Sequence, residues 1–401
     1  MARNIRLYPW FQACKSLLFW QAIWFLYFQT ELSAAEAVLL AAVYDLSTTA
    51  LEVPSGYLAD RVGRRATLIA ASLATACGCL VLGVGGAFWV FALGQVLLGT
   101  GSAFVSGADS ALLYDSLKAT GREEEVAAQE VRAWRFGFGG LAVSAVTGGL
   151  IALHAPALTY FGAAGGMMGA LWIATRFREP PVSPGETAGL SVGGQSRVVL
   201  ARLSEHSLAW FFAVAVAMYV FSHVPFVFGQ PFIEQALARF GLSADAPAVS
   251  GAIVSAMMLV SVASSWFALP LTRALGARHV ILCALGLQVA LVAMLAATAH
   301  VAAVAVLLLR MVPNAFARPL ILAGVQPQLE RAYRATFLSL QSLLGRVILA
   351  GTLLLVSETL PSEGVLTHAA LRQVLPWYVA VGAAVLAVLA WLGRRAKPPA
   401  H

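Results

Sequence analysis

Long apolar runs alternate with short polar breaks along the whole chain, and twelve of the runs are candidates to cross a membrane. They fall at approximately 16–29, 37–58, 67–87, 88–113, 129–153, 156–175, 208–232, 248–271, 279–299, 301–322, 335–357 and 377–393. A helix needs roughly 20 apolar residues to traverse the hydrocarbon, so this pattern predicts an all-α integral membrane protein with twelve transmembrane helices. The first run, rich in Trp, Phe and Tyr, is too bulky and polar for the core of a signal peptide and is read as a retained helix. The longest polar connection, Arg176 to Ser207, holds Pro180, Pro181 and Pro184 and divides the runs six and six. The predicted organisation is therefore an N-terminal six-helix half at 1–178, a cytoplasmic linker at 179–207 and a C-terminal six-helix half at 208–401.

Composition fits this reading: 60% of the 401 residues are hydrophobic and 11% charged, where a soluble domain carries about 25% charged residues. The net charge of +7 does not point to nucleic acid, because the basic residues are spread over alternate loops instead of forming a patch. Lys and Arg gather at the N-terminus, at 61–65, 118–135, 176–202, 273–278, 331–334 and 394–397, whereas the opposite loops hold Arg239 and Arg372. By the positive-inside rule both termini are expected in the cytoplasm, with the protein in an inner membrane of bacterial type. Cysteines and histidines are scattered without metal or redox spacing, and no lysine follows a glycine as in a phosphate-binding loop. No cofactor, no ATP hydrolysis and no enzyme activity are expected.

Ionisable residues inside the runs are costly in lipid and should face protein or a watery cavity. In the second run Asp45, Thr48, Thr49 and Glu52 follow helical spacing, and Asp45 lies roughly 12 Å in from the outer end. Asp45 is either a packing contact or a protonation site. Glu52, nearer the inner end, is either a second acid of that kind or a partner of loop arginines. Asp109 and Asp115 fall toward the cytoplasmic end of the fourth run. Arg310 and Arg346 sit near the middle of the tenth and eleventh, where they either bind an anionic group or neutralise an acid. Trp24 and Tyr27 in the first run, with Tyr219 and His223 in the seventh, either line a binding wall or belong to the packed interior. Pro225 and Pro231 predict a bend beside His223.

One polar hairpin stands out, Glu52-Val-Pro-Ser-Gly-Tyr-Leu-Ala-Asp-Arg-Val-Gly-Arg-Arg-Ala-Thr-Leu-Ile69, between the second and third runs. Gly56 allows close helix approach and Gly63 can take the positive φ of a sharp reversal. Leu269-Pro-Leu-Thr-Arg-Ala-Leu-Gly-Ala-Arg278 echoes it after the eighth run, with Gly276 on Gly63 and Arg273 where Asp60 stands. The hairpin resembles the loop signature of the major facilitator superfamily, Gly-x-Leu-Ala-Asp-Arg-x-Gly-Arg-Arg, and falls where that family carries it. The resemblance implies paired six-helix halves with a solute site near the midplane. It implies a gating role for Gly56, Asp60, Arg61, Gly63, Arg64 and Arg65, with Arg64 latched to Asp115 and Asp60 set against the start of the eleventh helix. It departs from the family at Gln95, where arginine is usual, and the fifth run, with Gly140, Ser144 and Gly148, lacks the antiporter proline.

The expected function is secondary active transport of a small organic solute by alternating access. Proton-coupled export of an amphipathic drug or metabolite is the first reading, with Asp45, Glu52 and Asp109 as candidate coupling acids and Trp24, Tyr27, Gln95, Tyr219, His223, Arg310 and Arg346 as candidate solute contacts. Import of an organic anion held by Arg310 and Arg346, or a sensor that has lost transport, are the alternatives. The expected partners are the solute, protons and the lipid bilayer, without nucleic acid, and the protein is expected to be a monomer.

Overall fold

The structure, a computed structural model, describes residues 1–180, 192–325, 328–329, 331–360 and 366–394, without the side chains of Val53, Gly56–Leu58, Asp60, Ala127, 192–196, Leu269 and 331–335. Among the described residues all regular structure is helical. The helices are α1 (Ala2–Lys15), α2 (Trp24–Phe28), α3 (Ala34–Val62), α4 (Arg64–Val84), α5 (Phe88–Val105), α6 (Ala108–Lys118), α7 (Val126–Ala152) and α8 (Pro156–Arg176). Then come α9 (Val192–Arg202), α10 (His206–Ala238), α11 (Ala246–Ser265), α12 (Ala268–Leu275), α13 (Ala277–Ala297), α14 (Val301–Val304), α15 (Val312–Val325), α16 (Arg331–Ser357) and α17 (His368–Gly393). Eleven described helical stretches are long and apolar enough to cross a membrane, and the broken first run makes the count consistent with twelve.

Two compact units are formed. One gathers the described residues of 1–187 with Ala244–Ser255, the other those of 188–243, 256–361 and 366–401. In the first, α4 packs on α5 and α8, α3 on α5, and α1 on α7 and α8. Its interior includes Phe11, Leu68, Leu112, Ile173 and Phe177. In the second, α13 packs on α15 and α17, and α10 on α13, α16 and α17. The start of α3 is fixed by a capping box: Glu36 N–H donates to Ser33 Oγ and Ser33 N–H to the Glu36 carboxylate, which satisfies amides that have no partner within the helix.

Several elements differ from the expectation, the eighth run among them, which divides into α11 and α12. The first helix is Ala2–Lys15, not 16–29; Ser16–Ile23 run in turns, and helix resumes only over Trp24–Phe28. Its polar residues misled the hydropathy reading because they find protein partners: Asn4 bonds to Ser116 and to the Arg178 backbone, and Lys15 to Asp109. The turns fit against glycines, since a Cβ at Gly148 would strike the Phe19 carbonyl and one at Gly166 would crowd Leu17. The fourth run is broken at Ser106-Gly107, where Gly107 takes φ 79°. The tenth passes through a 3-10 stretch at Ala305–Leu309 before α15. In the seventh, α10 is helical throughout, with Pro225 and Pro231 inside it. Within the stretch read as a linker, α9 is helical.

Candidate functional site

The signature turn is built around Gly63. Helix α3 ends and α4 begins there at φ 101° and ψ 153°, a conformation essentially restricted to glycine. Gly276, its echo, takes φ 81° and ψ 145° between α12 and α13. The expected pair is formed: Arg64 Nε lies 2.8 Å from Asp115 Oδ2, both side chains partly exposed. Glu179, unremarked in the sequence, holds the start of α4. Its two carboxylate oxygens accept the Arg64 and Arg65 backbone N–H groups at 2.6 and 2.8 Å, where the helix N-terminus favours negative charge. Arg65 Nη2 donates to the Thr175 carbonyl at 2.9 Å, so both α8 and the chain just beyond it hold the turn. A Cβ on Gly63 would stand 2.8 to 2.9 Å from the Glu179 carboxylate. Arg61 is exposed. The side chains of Gly56 and Asp60, and with them the expected seat of Asp60 against the eleventh helix, lie outside the described residues.

On α3, Asp45 is 5% exposed and Thr48 2%. Thr48 Oγ1 donates back to the Tyr44 carbonyl at 2.9 Å, and Glu52 is half-buried one turn beyond Thr48. Helix α5 comes close here: Gln95 Nε2 donates to the Leu40 carbonyl at 3.3 Å, and a Cβ on Gly99 would stand 2.8 Å from Ser47 Cβ. Gln95 thus ties α5 to the backbone of the helix that carries Asp45. Asp109 is buried against Lys15 Nζ at 2.5 Å and Gln12 Nε2 at 3.0 Å. Trp24 and Tyr27 lie in the aromatic interior of the first unit, among Phe25, Phe28, Phe91 and Tyr160, and the Tyr27 hydroxyl donates to the Leu82 carbonyl.

The second unit assembles four of the predicted residues. The His223 ring stacks on Tyr219 with centroids 4.0 Å apart, and His223 Nδ1 donates to the Tyr219 carbonyl at 2.7 Å, which leaves Nε2 as an acceptor. The Arg346 guanidinium lies over the other partner of that stack, 5.6 Å from the Tyr219 centroid. Arg310 lies over Phe226 at 5.2 Å and its Nε donates to Met257 Sδ at 3.3 Å. Both guanidiniums act electrostatically on His223. Gly345 permits the approach of α16 to α10, because a Cβ there would stand 2.9 Å from the Tyr219 ring. The result is two cations sheltered by aromatic faces, with sulfur in place of a carboxylate beside Arg310. Among the described residues, no carboxylate lies within ion-pair distance of Arg310. Met257, an ordinary apolar residue in an apolar run, gave no signal in the sequence. An apolar cavity of about 800 Å³ opens separately between α10, α16 and α17.

The sequence profile of the Major Facilitator Superfamily matches residues 10–354. The chain belongs to that superfamily. No curated protein matches this transporter. Among solved structures it is similar to the crystal structure of the nucleoside transporter NupG in a D323A mutant, with a TM-score of 0.76, 12% identity, and 97% of this chain and 98% of that one covered. It is similar also to the POT family transporter PepTSo, with a TM-score of 0.75, 13% identity and 98% of each chain covered. At such identity the likeness establishes the fold of this superfamily transporter, a multi-pass membrane protein.

Proposed function

We propose that this transporter carries a small amphipathic organic anion, received in the C-terminal half by Arg310 and Arg346 against Tyr219, His223 and Phe226. The observation that carries the reading is Arg310, a guanidinium in the middle of a membrane span whose neighbours are a thioether and an aromatic ring. A charge at that depth costs roughly 2.5 to 3.5 kcal/mol or more without compensation, and a ligand carboxylate would supply it through a bidentate pair. The aromatic rings favour a ligand with an apolar or aromatic body, which joins the two solute classes the sequence suggested. Proton coupling through Asp45, in an inner membrane with both termini cytoplasmic, completes the proposal.

Purified protein challenged with a panel of aromatic carboxylates and their amides tests it. The carboxylates should raise the melting temperature, a ligand at a hundred times its Kd adding about 2.7 kcal/mol, and the amides should not. In Arg310→Gln the carboxylate effect should weaken at least tenfold. Equal stabilisation by acids and amides would overturn the anion reading. Flux in vesicles with the best carboxylate then reads the direction, export being the first expectation.

A further inference from the structure

The apolar cavity between α10, α16 and α17 takes no part in the anion site, and it originates in packing. Helix α10 packs on both of the other helices, whereas α16 and α17 scarcely touch each other among the described residues. Its floor is a buried face of α10 with Val216, Val220 and Phe221. Its sides end in Leu355 on α16 and Trp377 on α17, 72% and 74% exposed, on helices long and apolar enough to cross a membrane. Exposed apolar side chains on such helices meet hydrocarbon, so the crevice opens to the bilayer.

The walls decide what fills about 800 Å³. None of the lining residues is charged, and the Thr352 and Thr359 hydroxyls donate to carbonyls of their own helix, those of Leu349 and Val356, at 2.7 and 2.8 Å. Water, which needs roughly two to four polar partners, is not held by such a surface. An empty crevice would forfeit dispersion contacts along all three helices. Polarity is graded: Thr359 and Gln373 lie at the end where α16 stops and α17 begins, and the apolar wall continues from there to Leu344 and Val385. On α17 Gln373, Trp377, Val381 and Val385 recur every fourth residue and share a face. At about 1.5 Å per residue that face is about 18 Å long, close to the about 15 Å of hydrocarbon in one leaflet. At the polar end Arg372 adjoins Gln373 and Glu358 adjoins Thr359, both exposed, so the rim selects headgroups of neither sign.

We propose that the crevice binds one acyl chain of a membrane phospholipid, drawn from the leaflet at the end where α16 gives way to α17. The ester and headgroup lie beside Thr359 and Gln373, and the methyl end of the chain reaches toward Leu344 and Val385. The inference is independent of the anion reading, since none of the residues lining the crevice belongs to that site.

Full-length protein in phosphatidylcholine vesicles, doped with a phosphatidylcholine that carries a photoactivatable diazirine on one acyl chain, tests it by peptide mapping of the adducts. A diazirine near the ester should mark the region of Thr359 and Gln373, one in mid-chain Val216 and Val220 on the floor, and one near the methyl end Leu344 and Val385. Adducts confined to the exposed Leu355 and Trp377 would reveal surrounding lipid only and overturn the site. Ala213→Phe combined with Ala217→Phe fills the crevice from its floor; floor adducts should fall about tenfold while those at the rim persist, and unchanged floor adducts overturn the proposal. The Tyr378 hydroxyl, which lines the crevice, is buried without a hydrogen-bond partner among the described residues. Tyr378→Phe should leave the adducts in place, because a hydrocarbon chain makes no use of a hydroxyl; their loss would replace the chain by a ligand with an acceptor. Displacement of the floor adducts by an aromatic carboxylate, or links between two copies of the protein in their stead, would make the occupant a solute or a second copy and equally overturn the lipid. Mapping on the parent keeps the proposal refutable where the double variant fails to fold.

Discussion

At the scale of single residues, Gly63 and Glu179 act as one device, and the pair yields a quantitative expectation. Alanine at Gly63 meets two penalties: a backbone region closed to side chains, worth about 1 to 3 kcal/mol, and the Glu179 carboxylate in the path of the new methyl. Gly276 has a similar backbone conformation, but the nearest atom to its Cβ position is His279 Nδ1 at 4.0 Å. Gly63→Ala should therefore lower thermal stability more than Gly276→Ala. Glu179→Ala alone should cost about 1 kcal/mol through the lost amide cap. In the Glu179→Ala background the excess penalty at Gly63 should vanish, a sub-additive double-mutant cycle; full additivity would show that the two do not touch. The sequence disclosed Gly63 through its place in the hairpin, and Arg64 and Asp115 through complementary charge. It was silent on Glu179, because a carboxylate that binds backbone amides has no charged partner to announce it. Lys15 was read only as a loop charge that sets orientation, because a hydropathy pattern cannot register a half-buried lysine whose acid lies 94 residues away.

At the scale of elements, long uniform runs such as those of α4, α8 and α13 were legible to within a few residues, since each is apolar from end to end. The broken ones were not. Hydropathy averages over a kink, and neither Gly107 nor the 3-10 stretch at Ala305–Leu309 changes the mean. Pro225 and Pro231 leave α10 helical on both sides, because a proline removes one hydrogen bond that a packed membrane helix can re-satisfy locally. Gly107 offers a direct measurement. A Cβ there meets open space, so Gly107→Ala should cost only the left-handed torsional penalty of about 1 to 2 kcal/mol, and Gly107→Asn clearly less. Gly139, whose Cβ would also meet open space but which lies inside α7 at ordinary φ, should tolerate alanine or gain from it. Thermal unfolding of the three variants checks the order; a Gly107→Ala variant as stable as the parent would mean that the break at α5 and α6 does not depend on glycine.

At the scale of the whole molecule, the acids Asp45 and Asp109 belong to the first six runs and the arginines Arg310 and Arg346 to the last six, with Lys15 set against Asp109 in the first half. If Asp45 couples protons to solute movement, Asp45→Asn should keep carboxylate binding, flatten its pH dependence and abolish concentrative flux driven by a proton gradient in vesicles. A variant that still accumulates solute like the parent would move the coupling role to another acid. The superfamily and its twelve-helix plan were legible because they rest on hydropathy and one hairpin, both properties of contiguous sequence. The cation cluster was legible in its members but not in its arrangement, which depends on Gly345 admitting Tyr219 and on Met257 standing beside Arg310 in place of an acid.

The hold of Glu179 on the first amides of α4 also has a mechanical meaning. It moors the chain that leaves α8 to the turn at Gly63 through two short hydrogen bonds, beside the covalent path through α8 itself.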